Sequence, residues 1–276
     1  MRTVPKEKKI AVINGLCNGL SLRASTRLTD VHRTTIAKLL VRVGHRCDEI
    51  MKAHMLDLNI NRLELDEIWT FCGKKQGRLR TLEEKINPKL GDQYLFFGID
   101  HETKLVPAWA LGKRDQITAL QMLYQLRRSM NGCHTQISTD AWSGYRETIG
   151  AMFGDSVDWA TLTKEYESEH AGRGRYAPPR VTATAKHVEL GDPDLDQVCT
   201  SIVERKNLTV RTMQRRFTRL TCAFSRKWEN LRAACALHFA YYNFVWQHRS
   251  LGGISPALKA GVTDRLWTVA DLVGDC

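Results

Sequence analysis

The chain has 276 residues, 43% hydrophobic and 26% charged, which suits one large domain or a core with a small accessory module, and excludes a largely disordered chain. Its net charge of +11 sits in two segments: residues 1–56 hold 11 Lys/Arg against four Asp/Glu, and residues 204–227 hold eight against Glu204 alone. Such clustering is what a polyphosphate partner selects, because neutralised phosphates release counterions, although a solvated basic face has the same composition.

Three helices are predicted first. Lys6 to Asn18 places Ile10, Ile13, Leu16 and Cys17 on one face, with Gly19 at a capping position. Ser21 caps a short helix, Leu22 to Leu28, and Thr29-Asp30-Val31 turns the chain into a longer helix from about His32. Two short helices, a tight turn and a basic third helix make a helix-turn-helix pattern over residues 1–56. His32, Arg33, Thr34, Thr35 and Lys38 would then open the recognition helix and face the DNA major groove. A three-helix bundle that only dimerises would share this spacing. Residues 57–61 read as a connector.

From residue 62 the periodicity changes. Arg62 to Cys72, Tyr94 to Asp100 and Lys104 to Leu111 are predicted strands, the last two joined by a turn at His101-Glu102-Thr103. Asp115 caps a helix with Leu120, Leu123, Tyr124 and Leu126 at near-helical spacing. Thr135 to Thr139 is a short strand ending at Asp140, followed by a helix near Ser143–Phe153 and a strand near Val157–Leu162. Residues 155–196, rich in Gly, Pro and charge beyond 164, read as an insertion that is irregular from 164 on. A long helix is expected from Leu195 and an aromatic one from Trp228 to Trp246, with 251–276 as a tail. This order predicts a mixed α/β, ribonuclease-H-like core over 62–250. Eight cysteines without a CxxC pair support no zinc ribbon and read as small core residues in a reducing compartment. With no membrane-length apolar run and no apolar leader, a cytoplasmic, nucleoid-associated protein is expected.

Three carboxylates stand out. Asp66 lies inside the apolar LELDEIW strand, where a carboxylate is costly unless paired or metal-bound. Alternation turns Glu67 to the opposite face. Asp140 lies at the carboxyl end of a strand, where ligands collect in open α/β sheets, though it could simply cap a helix. Glu204 shares a helical stripe with Asn207, Leu208 and Arg211, and Arg215, Arg216 and Arg219 would follow on later turns. That stripe could equally be a solvated charged face. Converging carboxylates suit two divalent ions roughly 3.5–4 Å apart that activate an oxygen nucleophile and absorb leaving-group charge.

LDEIW (65–69), TDAWSGY (139–145), VERKNLTVR (203–211), RRFTRLTCAFSRKWEN (215–230) and YYNFVWQHRSL (241–251) occur in this order. In them the sequence resembles the DDE-type transposases of the IS1 family, over roughly residues 8–270. The resemblance implies a ribonuclease-H-like fold, a DDE triad at Asp66, Asp140 and Glu204, two Mg²⁺ ions with Mn²⁺ as a substitute, and DNA strand cleavage and transfer at terminal inverted repeats. It also implies a homodimer or higher oligomer on DNA. Compact relatives have a shorter stretch before the glutamate, so Glu165, Glu167 and Glu169 compete by spacing; they lack the NLTVR context. Asn207 and Arg211 are expected near metal or phosphate, Arg215, Arg216 and Arg219 along the DNA backbone, and Trp142 and Tyr145 as base-stacking rings or core aromatics. Two rival readings stay open: a non-catalytic DNA-binding protein such as a repressor, and a structure-selective nuclease of the same fold.

Overall fold

The structure, a computed structural model, describes residues 4–167, 180–219 and 221–276. Three helices open the chain: α1 (Lys6–Cys17), α2 (Leu22–Thr29) and α3 (Arg33–His54). The Ser21 hydroxyl accepts from the Ala24 amide, and the His32 ring caps the first turn of α3 through the Thr34 amide. Asp30 takes a left-handed conformation, φ 57°, and supplies the turn between α2 and α3.

These helices share a core with the rest of the chain. One face of α3 lies on α8 (Trp228–Ala240), and the contact is close because both sides are small. A Cβ on Gly44 would come within 2.6 Å of the Ala233 Cα, so the two backbones nearly touch there. Arg232 reaches Asp48 at 2.8 Å across the same contact. The segment 57–61 is tied down as well: Leu58 and Ile60 are buried, and the Leu58 amide donates to the Ser129 carbonyl at 2.8 Å.

The sheet has six strands: β1 (Arg62–Cys72), β2 (Gly91–Asp100), β3 (Trp109–Gly112), β4 (Thr135–Thr139), β5 (Val157–Glu167) and β6 (Arg180–Leu190), in spatial order β3-β2-β1-β4-β5-β6. β1, β2 and β3 are antiparallel, β4 is parallel to β1 and β5, and β6 returns antiparallel to β5. Helix α4 (Thr81–Ile86) lies between β1 and β2, α5 (Gln116–Ser129) between β3 and β4, and α6 (Gly144–Phe153) between β4 and β5. The arrangement is mixed α/β, as read from the sequence, with α4 and β6 as elements that reading did not contain.

Four local expectations change. The third strand is shorter than Lys104–Leu111 because Lys104 has φ 62° and Pro107 has no amide to give a ladder. Buried Asn243 pins that segment instead, pairing with both the amide and carbonyl of Val106 at 3.0 and 2.8 Å. The insertion is not irregular throughout: β5 and β6 pair within its described parts, where the β-branched Val and Thr of β6 favour extended backbone. The helix expected from Leu195 begins later, as α7 (Ser201–Met213), after a single 3₁₀ turn at Leu195–Gln197. The last long helix becomes a π-helical turn at Tyr241–Val245. Short helices α9 (Pro256–Lys259) and α10 (Val269–Val273) pack the C-terminal residues onto the core, α10 against α1 and α3. Cys17, Cys47, Cys72 and Cys235 are buried, and no cysteine is in a disulfide. Among the described residues no helix is long and apolar enough to cross a membrane.

Candidate active site

Strand lengths create the site. β4 pairs with β1 only from Arg62↔Gln136 to Glu64↔Ser138, and β4 ends at Thr139. Beyond Glu64 the β1 edge is open toward β4, and Asp66 meets Asp140 in the notch. One carboxylate oxygen from each of Asp66, Glu67 and Asp140 lies within 4.8 Å of the others. Glu67, which strand alternation turns away from Asp66, reaches the same cluster because no neighbouring strand blocks the edge.

Each acid has a distinct environment. Asp66 accepts from the Glu67 amide at 2.8 Å and from the Asn207 side-chain amide at 2.5 Å. Burial pushes its carboxyl up to about 6, with the Asp140 charge adding to the effect. Glu67 is pushed up to about 7 by burial and by Asp140 and Asp66, although Arg114 sits on it at 2.5 Å. Asp140 accepts from the Trp142 amide at 3.0 Å, which holds the turn into α6.

Glu204 lies across the same cavity, a space of about 650 Å³ lined by Asp66, Asp140, Arg114, Trp142 and Glu204 among others. It is half-exposed, accepts from the Thr200 hydroxyl at 2.8 Å and is ion-paired with Lys164 of β5. The structure therefore gathers Asp66 and Asp140 with Glu67, and sets Glu204 on the cavity wall outside that tight group. Glu165 and Glu167 are exposed on β5, and Glu169 lies outside the described residues.

Helix α7 is seated by a carboxylate that sequence reasoning passed over. Glu64, 2% exposed, accepts from the Ile202 and Val203 amides at 2.9 Å each and pairs with the His101 ring at 2.8 Å. An anion at a helix N-terminus offsets the exposed amides and the helix dipole. Its signal was present: Glu64 stands at the alternate position to Asp66 in an otherwise apolar strand. The opposite side of α7 buries Lys206 against His238 and the Tyr242 ring, and burial drives that amine's pKa well below its usual value.

Asn207, expected near metal or phosphate, is 8% exposed and turned to Asp66, which makes it part of the carboxylate's surroundings. Its amide oxygen is buried without a partner beside the acids. Carboxylate oxygens of Asp66 and Asp140, with Glu204 across the cavity, are the hard donors that Mg²⁺ or Mn²⁺ takes, so the residues present fit such an ion.

Tyr145 is fully buried, edge-on to Trp142 and Phe96, so it is a core aromatic and not a stacking surface. Trp142 is partly covered: the Arg114 guanidinium lies 5.3 Å from its ring, and a Cβ on Gly144 would stand 2.3 Å from it. Glycine at 144 is what lets the indole lie on the first turn of α6.

The predicted DNA-contact residues gather elsewhere. Arg215 and Arg216 leave the helix, since α7 ends at Met213 and a 3₁₀ turn carries Arg215–Phe217. That turn brings them beside the N-terminal helices: Arg23, Arg33, Arg215, Arg216 and Arg226 line one depression of about 850 Å³, and no acid among the described residues lines it. Thr34, Thr35 and Lys38 line an adjoining depression with Arg42 and Lys227, and Asn230 borders both. Arg219 is exposed, and Arg211 is half-buried with its Nε unpartnered.

No family model matches the chain, and no curated protein matches it. Among solved structures it is similar to a pre-cleavage Mos1 transpososome, at 12% identity over 58% of this chain and 60% of that one, with a TM-score of 0.24. It is also similar to the Mos1 transposase paired-end complex with left transposon end (14%, 58% and 60%, TM-score 0.23) and to the Mos1 strand transfer complex (13%, 58% and 59%, TM-score 0.23). The chain spans about 60% of the length of these proteins, and overlap at such TM-scores is too slight to carry an assignment.

Proposed function

We propose that the chain is a DDE transposase, binding the terminal inverted repeats of an insertion sequence and cutting and joining DNA with Asp66, Asp140 and Glu204. The observation that carries this reading is the notch at the end of β4. There Asp66 and Asp140, 74 positions apart in the chain, meet on an open cavity whose far wall is Glu204, with the buried Glu67 carboxylate crowded against them. Carboxylates crowded this closely repel one another, and burial raises the cost of charging them, so the folded chain favours a cation there.

Asp66 and Asp140 would hold the first of two Mg²⁺ ions and Glu204 would complete the second site, with Mn²⁺ as a substitute. Bound Mg²⁺ supplies the positive charge that activates an attacking oxygen and offsets charge on a leaving one. The chain's own groups do the positioning. Asn207 holds Asp66 by one oxygen, Glu64 fixes α7 and so the height of Glu204, and Arg114 keeps Glu67 in place. Lys164, ion-paired with Glu204, would have to give up that carboxylate for Glu204 to serve as a metal ligand. The Arg-lined depression suits a DNA backbone, α3 the major groove, and joining two element ends calls for at least a dimer.

The test is nicking and strand transfer on DNA carrying the gene's own flanking sequence. The parent chain should nick it only with Mg²⁺ or Mn²⁺. Asp66→Asn, Asp140→Asn and Glu204→Gln should each lower the rate by at least ~10³-fold while DNA affinity is kept. A milder loss is expected for Glu67→Gln, since the reading places it beside the metals and not on them. Full activity in all three triad variants would rule out this assignment. Strand-transfer products would exclude a plain nuclease.

A further inference from the structure

The β5–β6 pair outruns the sheet. β4 covers β5 only as far as Thr139↔Thr161, and β5 then continues to Glu167 with β6 alone beside it. Leu162, Lys164 and Tyr166 occupy alternate positions on this free stretch, and all three line the acid cavity. An irregularity in the ladder between Glu165 and Tyr166 re-aims the last of them, a device common beside active sites. A ring on a two-stranded ribbon gains little burial from its neighbours, and Tyr166 is 58% exposed.

We infer that Tyr166 is the platform on which an unpaired nucleobase beside the cleaved phosphodiester stacks, with the Lys164 ammonium next to that nucleotide's phosphate. The inference rests on the strand-transfer reading of the acid cavity and adds the insertion to the site as its nucleic-acid wall. Single-stranded nucleic acid is held by an aromatic face together with positive charge along the backbone. Two aromatic residues line the cavity among the described residues, Trp142 and Tyr166. The Trp142 ring is taken up by Arg114, Phe96 and Gly144, which leaves Tyr166 as the ring with an open face.

The probe is a short duplex with a single-stranded 3′ tail bearing one 2-aminopurine, bound in Ca²⁺ so that binding is read without cleavage. Stacking should quench the 2-aminopurine on the parent chain. Tyr166→Ala should abolish the quench and weaken tail binding about ten-fold or more, while Tyr166→Phe keeps both. Lys164→Ala should keep the quench and flatten the salt dependence of tail binding by about one phosphate contact. Thermal melting of each variant at the parent's temperature shows that folding is intact, as the exposure of Tyr166 predicts. An unchanged quench and affinity in Tyr166→Ala would overturn the inference. If the parent nicks its flanking DNA with Mg²⁺ and the quench is still indifferent to Tyr166, the inference alone fails. If the parent never nicks, the transposase reading fails on its own test.

Discussion

Two depressions in this molecule hold unbalanced charge of opposite sign. The notch beside β4 crowds three carboxylates, and among the described residues one ion pair, Arg114 to Glu67, offsets their charge. The depression beside α2 and α3 gathers five guanidiniums with no acid among the described residues of its wall. A folded chain tolerates such imbalance where solvent or a ligand supplies the missing charge. The difference suits the two partners proposed for the chain: a small hard cation for the notch and an extended polyanion for the arginines. The notch is assembled from strand ends held by the core. The basic depression is assembled from helix starts and a turn, with Arg216 held to Ser225 at 2.8 Å.

The largest expected effect breaks the basic half of this comparison. Arg33→Ala combined with Arg215→Ala should weaken duplex DNA binding by about ten-fold or more and lower the log–log salt slope by about two. Fluorescence anisotropy over a range of salt measures both. Unchanged binding would mean that the depression faces something other than nucleic acid.

A second prediction sharpens the acidic half. Asp66 and Glu67 have folded values near 6 and 7, above their ordinary values of 3.8 and 4.5, so the native state binds more protons than the unfolded chain between about pH 4 and 7. The metal-free protein should then be most stable at the low end of that window and lose stability, on the order of a few kcal/mol, as pH rises through the folded values. Mg²⁺ added at about pH 8 should restore part of the loss, because it binds the ionised acids of the native state. Asp66→Asn should flatten the pH dependence and abolish the Mg²⁺ effect. Thermal melting against pH, with and without Mg²⁺, reads all of this; melting insensitive to Mg²⁺ would count against a cation in the notch.

The smallest effect concerns the support of the notch. Gly144→Ala should push the Trp142 indole off α6 and cost about 1–3 kcal/mol, measured by urea unfolding. A neutral result would show that the ring can move freely and that the turn after Asp140 is less constrained than its contacts imply.

Much of the fold was legible from residue patterns. Ser21 and Asp115 cap helices where expected, and the strands over Arg62–Cys72 and Thr135–Thr139 stand at the expected bounds. Caps and alternation are local, so a few neighbouring side chains decide them. The start of β5 was read near Val157–Leu162, but its continuation to Glu167 and the partner β6 were missed, because that part of the ribbon stands exposed and no buried apolar face marks it. The helical stripe through Arg211 did not continue to Arg215, because Gln214 is extended and buried where the helix would have gone on.

By itself the sequence determined which groups could do chemistry: acids inside apolar strands, a glutamate on an amide-bearing helix, and two basic segments. Which of them meet was decided only in three dimensions. β4 stops at Thr139, so Glu67 can turn into the notch; Glu64 anchors α7, so Asn207 reaches Asp66 while Glu204 stands across the cavity with Lys164. Strand length and helix docking depend on packing against distant residues, and that information lies in no single segment of the chain.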